Sequence, residues 1–146
     1  MNLIEKSLFL KKTALLQKLD FDLLLAISDK LEYITAKKGD TLFLTGDKAL
    51  GIYFVLEGEV ALKGAIEASL PKDKKSQSVK SLKAYSFFGD ESLFSDQKRG
   101  YSAVAKKETR LFMLAKPHLF ALLSECPEVA IELLATYASE VALRSN

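Results

Sequence analysis

The sequence offers little material for covalent or metal chemistry. Its 146 residues hold one cysteine, Cys126, and one histidine, His118. A lone cysteine cannot close an internal disulfide, so nothing calls for an oxidising compartment. One His and one Cys also leave little material for a zinc site or a Cys–His nucleophile. His118 falls where a helix is expected to start, a surface or cap position. No run of residues reaches the roughly 18 apolar positions of a membrane-spanning helix. The opening MNLIEKSLFLKK interleaves charges with its leucines, leaving no signal-peptide core. Charge of one sign is scarce too. Lys and Arg number 21 against 19 Asp and Glu, a net charge of +2, which argues for neither nucleic acid nor a membrane surface as partner. These absences lead us to expect a cytoplasmic protein that is not an enzyme, with no metal, no cofactor, no membrane contact and no direct DNA binding.

What is present is the composition of an ordinary globule, 49% apolar and 27% charged. The length suits one domain that buries about 70% of its unfolded surface without staples. Residues 3–12 place Leu3, Leu8 and Phe9 among Glu and Lys, the pattern of a short amphipathic helix. Leu15, Leu16 and Leu19 lead to Asp20, a good N-cap for a second helix from Phe21 to about Leu31, in which Leu24, Ile27 and Leu31 recur at helical spacing.

From Tyr33 to about Leu114 the character changes to strands and turns. Gly39-Asp40 and Gly46-Asp47 flank the short strand TLFL. Ile52–Leu56 is a continuous β-prone run closed by Gly58, and Val60 and Leu62 then alternate with Glu59, Ala61 and Lys63. Short strands spaced by glycine turns argue for an antiparallel barrel or sandwich. IEASLPKDKKSQSVK, with Lys72, Lys74, Lys75 and Lys80, reads as a solvated loop or hairpin tip, with a partner patch as the alternative. Arg110–Leu114 is a last strand. Pro117 suits the first turn of a helix to about Glu125, and Pro127 opens another with Ala130, Leu133, Leu134, Tyr137 and Val141 on one stripe.

The chemistry concentrates in residues 88–103, FGDESLFSDQKRGYSA. Gly89 lacks a Cβ and tolerates positive φ, so backbone there can approach a ligand closely. Asp90, Glu91 and Ser92 suit the first turn of a helix, where free N–H groups take side-chain oxygens or phosphate. Arg99 brings a permanent, planar cation matched to phosphate oxygens. One short element thus combines amide donors, a cation and a carboxylate able to bind a sugar hydroxyl.

This stretch resembles the phosphate-binding cassette of the cyclic nucleotide-binding domain, found in catabolite-activator-type regulators, protein kinase A regulatory subunits and gated channels. The family pattern is roughly F-G-E-x-[AS]-L, a polar loop, then R-[STA]-A-[TS]-[VA]. Phe88, Gly89, Ser92, Leu93 and Arg99 fall on it, with the usual nine-residue step from Asp90 to Arg99. KKGDTLFLTGDKALGIYFVLEGEVAL is similar to the family's two glycine-centred blocks, in the same order. The resemblance implies a mainly β fold with flanking helices: a double-stranded β-helix, jelly-roll-like, at 33–114, N-terminal helices within 1–32 and C-terminal helices within 115–146, in a single domain. It also implies a cyclic nucleotide ligand, cAMP or cGMP, and a regulatory role in signal transduction through a protein effector.

By the resemblance Asp90 takes the ribose 2′-hydroxyl and Arg99 the cyclic phosphate, assisted by amides near Glu91 and Ser92. Phe88, Leu93, Gly100, Tyr101 and Ser102 complete the expected contacts, Ser102 as a contributor to base choice. Three positions depart. Asp90 stands where the family has Glu, shorter by one carbon–carbon bond, about 1.5 Å. Tyr101 is bulky where the family has a small residue, and Tyr85 stands near a customary glycine. Tyr101 leaves an alternative open: the same fold with an occluded pocket, serving as a protein-interaction scaffold. In the family the helix at the place of the C-terminal stripe caps the nucleotide or forms a dimer seam, so a homodimer through that helix is expected as readily as core packing. The sequence, ending at Asn146, shows no helix-turn-helix output module.

Overall fold

The computed structural model describes residues 1–64, 79–90, 93 and 98–145. It divides into two compact units, Met1–Glu32 with Leu114–Asn146, and Tyr33–Met113.

The first unit is helical. Helix α1 (Leu3–Lys11) starts at a capping box, in which Asn2 Oδ1 accepts from Glu5 N at 2.8 Å and Glu5 Oε1 from Asn2 N at 3.4 Å. Its buried residues are Ser7, Phe9 and Leu10, whereas Leu3 and Leu8 are exposed. The expected stripe is rotated because small Ser7 sits at the crossing with α2 (Phe21–Ser28), its hydroxyl 2.9 Å from that of Ser28. Asp20 takes the extended N-cap backbone of α2 but makes no side-chain cap bond. Helix α3 (Lys116–Glu125) carries Pro117 in its first turn, and Pro127 opens α4 (Pro127–Ser145). Along α4 Leu133 is buried, but Leu134, expected on the same stripe, is exposed. No helix among the described residues is long and apolar enough to cross a membrane.

The second unit is a double-stranded β-helix. Its strands are β1 (Glu32–Ala36), β2 (Thr41–Phe43), β3 (Gly51–Glu57), β4 (Val60–Gly64), β5 (Val79–Leu82), β6 (Phe87–Phe88), β7 (Tyr101–Ala105) and β8 (Thr109–Ala115). They form two four-stranded sheets, ordered β1-β8-β3-β6 and β2-β7-β4-β5. β3 is buried from Gly51 to Val55, as its unbroken apolar run suggests. β4 departs from the expected alternation, since Ala61 is buried along with Val60 and Leu62. Ala61 is small and lies between Ser81 and Val104 on the neighbouring strands, which shade it. Most of the lysine-rich stretch after Gly64 lies outside the described residues, but its end does not: Lys80 belongs to strand β5 rather than to a loop.

Two turns show how backbone sign selects residue type. Gly58 joins β3 to β4 at φ +103°, and a Cβ there would fall 2.5 Å from Thr109 Oγ1 and 2.6 Å from the Glu108 carbonyl oxygen. Tyr85 joins β5 to β6 at φ +71°, a left-handed conformation that L side chains disfavour. It is held there because its N–H donates to the Val55 carbonyl at 2.8 Å. The customary glycine is missing, yet the backbone keeps the glycine conformation. Between the β3–β4 and β7–β8 turns the Lys106 ammonium lies 3.1 Å from Glu59 Oε2 and, as the main cause, holds the Glu59 carboxyl below its usual value.

Three outcomes follow for denaturant unfolding. Tyr85→Gly should gain about 1 kcal/mol by removing left-handed strain. Gly58→Ala should lose about 2 kcal/mol or more, because strain and overlap act together. The Glu59 pair should contribute fully above the ordinary carboxylate range and fade as pH falls through the lowered value, so Glu59→Gln should flatten that part of the acid-side decline.

Candidate functional site

The cassette follows β6 directly. Phe88 points into the core, and Gly89 turns the chain at φ +82°. Asp90 is 1% exposed, and its carbonyl accepts from Leu93 N at 3.2 Å, closing a turn over the fully buried Leu93 side chain. Glu91 and Ser92, and with them most of the expected helical turn, lie outside the described residues.

Arg99 is 3% exposed, an unusual place for a permanent cation. Backbone bonds pin its segment to the turn after β2: Arg99 N donates to the Asp47 carbonyl at 2.8 Å, and the Arg99 carbonyl accepts from Gly46 N at 2.7 Å. Its guanidinium is gripped at both tips, Nη1 donating to the Gly89 carbonyl and Nη2 to that of Gly51 at 2.7 Å. The charge centre stands 4.3 Å from the centroid of the Phe43 ring, a desolvated cation–π contact of order 2 kcal/mol. A Cβ on Gly89 would come within 3.1 and 3.2 Å of the two Nη atoms and 3.2 Å of Tyr53 Cδ2. The glycine that the sequence offers to a ligand serves Arg99 first.

Tyr101 is the other occupant. It is buried, and its hydroxyl accepts from Gly89 N at 3.1 Å. Its ring lies 5.7 Å from that of Phe43, which in turn lies 5.8 Å from Tyr53 and 6.1 Å from Phe88. Tyr53 and Phe88 stack at 5.0 Å, with 9° between their planes. Phe43 and Tyr101 come from one sheet, Tyr53 and Phe88 from the other, so the cluster ties the two sheets together beside the cassette.

The strand period then separates neighbours. Tyr101, Ala103 and Ala105 are buried and share the inner face of β7, whereas Ser102 faces the opposite way. Ser102 Oγ accepts from Thr45 N at 2.9 Å and lies 3.1 Å from Thr45 Oγ1. The structure therefore brings together Phe88, Gly89, Arg99 and Tyr101 and leaves Ser102 on the outer face. Gly100 is exposed, and a Cβ there would meet nothing within 4 Å. A cavity of about 230 Å³ beside Arg99 is lined by residues of the β2–β3 turn, among them Asp47, Lys48 and Leu50, but by none of Gly89, Asp90 and Tyr101. Gly51, Phe43 and Tyr53 were not among the expected site residues. Gly51 acts through its carbonyl, which no side-chain pattern reveals. Among the described residues, no three His, Cys, Asp or Glu side chains are placed to hold a metal.

The pattern of the cyclic nucleotide-binding domain matches residues 33–126. Among solved structures, the N-terminal domain of a transcriptional regulator from Streptomyces coelicolor A3(2) is 26% identical with a TM-score of 0.74, the match covering 93% of this chain and 94% of that one. The regulatory domain of Toxoplasma gondii protein kinase A, solved with cAMP, is 20% identical with a TM-score of 0.72, over 93% of this chain and 49% of that one. A protein of Ruegeria pomeroyi DSS-3 is 20% identical with a TM-score of 0.78, and the match covers 99% of this chain but 62% of that protein's length. With the match extending over the strand unit and the cassette at its centre, the chain belongs to the cyclic nucleotide-binding domain family.

Proposed function

We propose that the chain is a non-enzymatic regulatory module that binds a cyclic nucleotide, cAMP or cGMP, and passes the change to a protein effector, the 146 residues acting as one domain. The observation that supports this is the buried Arg99 guanidinium, fixed against the Gly89 turn. A cation out of water is costly unless anionic or strongly polar groups surround it. Carbonyls and an aromatic face orient it, and its planar fork matches the oxygens of a cyclic phosphate. The buried Asp90, one residue past the turn, is the group for a ribose hydroxyl. The cAMP-bound kinase regulatory domain of the same fold supports the ligand class. The single histidine and single cysteine of the sequence leave little material for turnover.

Tyr101 favours a second reading. Its hydroxyl already takes the Gly89 amide, and its ring joins the aromatic cluster, so the cassette carries an internal occupant. On this reading the pocket is occluded and the fold is an interaction scaffold.

Calorimetric titration with cAMP and cGMP separates the two. On the first reading the intact chain binds at micromolar concentration or better, and Arg99→Ala weakens binding about 30- to 100-fold, the loss of one charge-assisted contact. Tyr101→Phe, which keeps the ring and frees the amide, should tighten binding. On the second reading the intact chain is silent, and binding emerges only where Tyr101→Phe or Tyr101→Ala removes the occupant, with circular dichroism showing both variants folded.

A further inference from the structure

Arg99 has a second side. Its Nη1 donates toward the cassette, to the Gly89 carbonyl, while Nη2 donates at 2.7 Å to the carbonyl of Gly51, where β3 begins. Leu50, the residue before Gly51, lines the cavity of about 230 Å³ beside Arg99. Among the described residues, Arg99 is the one expected cassette contact on its wall. Leu42, Leu50 and Tyr53 supply apolar surface there, and Leu50 is 59% exposed.

The charges on this wall are uneven. Asp47 is committed to its own turn, its Oδ2 accepting from Leu44 N at 2.9 Å. Lys48 makes no hydrogen bond or ion pair among the described residues. Lys98 stands directly opposite Lys48 across an isolated bridge, and like charges so placed repel. Two cations and one acid line the cavity, which suits one added negative charge rather than two. At roughly 30 Å³ for each water-sized group, the volume holds a ligand of about eight non-hydrogen atoms. An apolar hollow with a few convergent polar groups is the usual form of a small-molecule site.

We infer that this cavity binds a small monocarboxylate with an apolar tail of about five carbons, and this stands whether or not the cassette takes a nucleotide. The carboxylate lies between Lys48 and the Nη2 end of Arg99, whose planar fork matches its two oxygens. The tail covers Leu50 and runs against Leu42 and Tyr53. A neutral alcohol of the same length would leave Lys48 without an acceptor, and acetate would leave Leu50 in water.

The test is a titration of the full chain with hexanoate, acetate and 1-hexanol, followed by calorimetry and by amide and arginine side-chain NMR. Hexanoate is expected to bind with a dissociation constant of about 1 mM or tighter, the reach of so small a ligand. Acetate and hexanol should each bind about tenfold or more weakly. Hexanoate should shift the Arg99 Nε–H signal and the amides of Lys48 and Leu50. Lys48→Gln should weaken hexanoate about threefold while Lys48→Arg keeps it, and Leu50→Ser should weaken hexanoate about tenfold and leave acetate unchanged, with circular dichroism showing each variant folded. No binding of hexanoate at about 10 mM, hexanol binding as tightly as hexanoate, or hexanoate shifting the Gly89 amide and neither Lys48 nor Leu50 would each overturn the assignment.

Discussion

A guanidinium buried against a glycine turn is the constraint around which the strand unit is arranged. Arg99 cannot lose its proton, so its charge must be met within the fold. The Gly89 and Gly51 carbonyls meet it at the tips and the Phe43 ring beneath. Each partner imposes a condition: position 89 has no room for a side chain, β3 must begin where the Gly51 carbonyl is in reach, and β2 must hold an aromatic inward. The backbone bonds of Arg99 to Gly46 and Asp47 add a fourth, fastening the cassette's end to the turn after β2.

The aromatic cluster turns these local demands into a link between sheets. Phe43 touches rings from both sheets and the cation as well. Removing it would therefore cost burial, ring contacts and the cation's support together. The Tyr85 turn shows a different settlement. Its amide is fixed by Val55 whatever the side chain, so strain persists at a position where the fold, rather than the residue, decides the conformation.

The elements marked by local chemistry were legible in the sequence. Gly46-Asp47 and Gly58 bracket strands that form, and Pro117 and Pro127 stand at the starts of α3 and α4. Gly89 and Arg99, which the structure brings into contact, also stood out in the sequence by their residue types. What escaped depends on groups far away in the chain. Ser7 rather than Leu8 faces inward because Ser28 awaits it. Lys80 was hidden in a lysine-rich run, and only pairing with Leu62 shows it to be strand. Two partners of Arg99 are backbone carbonyls, one of them 48 residues away, and carbonyls leave no mark on composition. The face that Tyr101 takes shows only in its register opposite Gly64.

The Tyr101 phenol differs from any soluble competitor for the Gly89 amide in one respect: it cannot be diluted. A group tethered twelve residues from its target is present at an effective concentration fixed by the fold alone. Any anion that seeks this amide meets a threshold equal to its intrinsic dissociation constant divided by the fraction of molecules whose phenol has swung away. That threshold is independent of how much protein is present, and a change in the side chain's rotamer balance moves it without altering a single ligand contact.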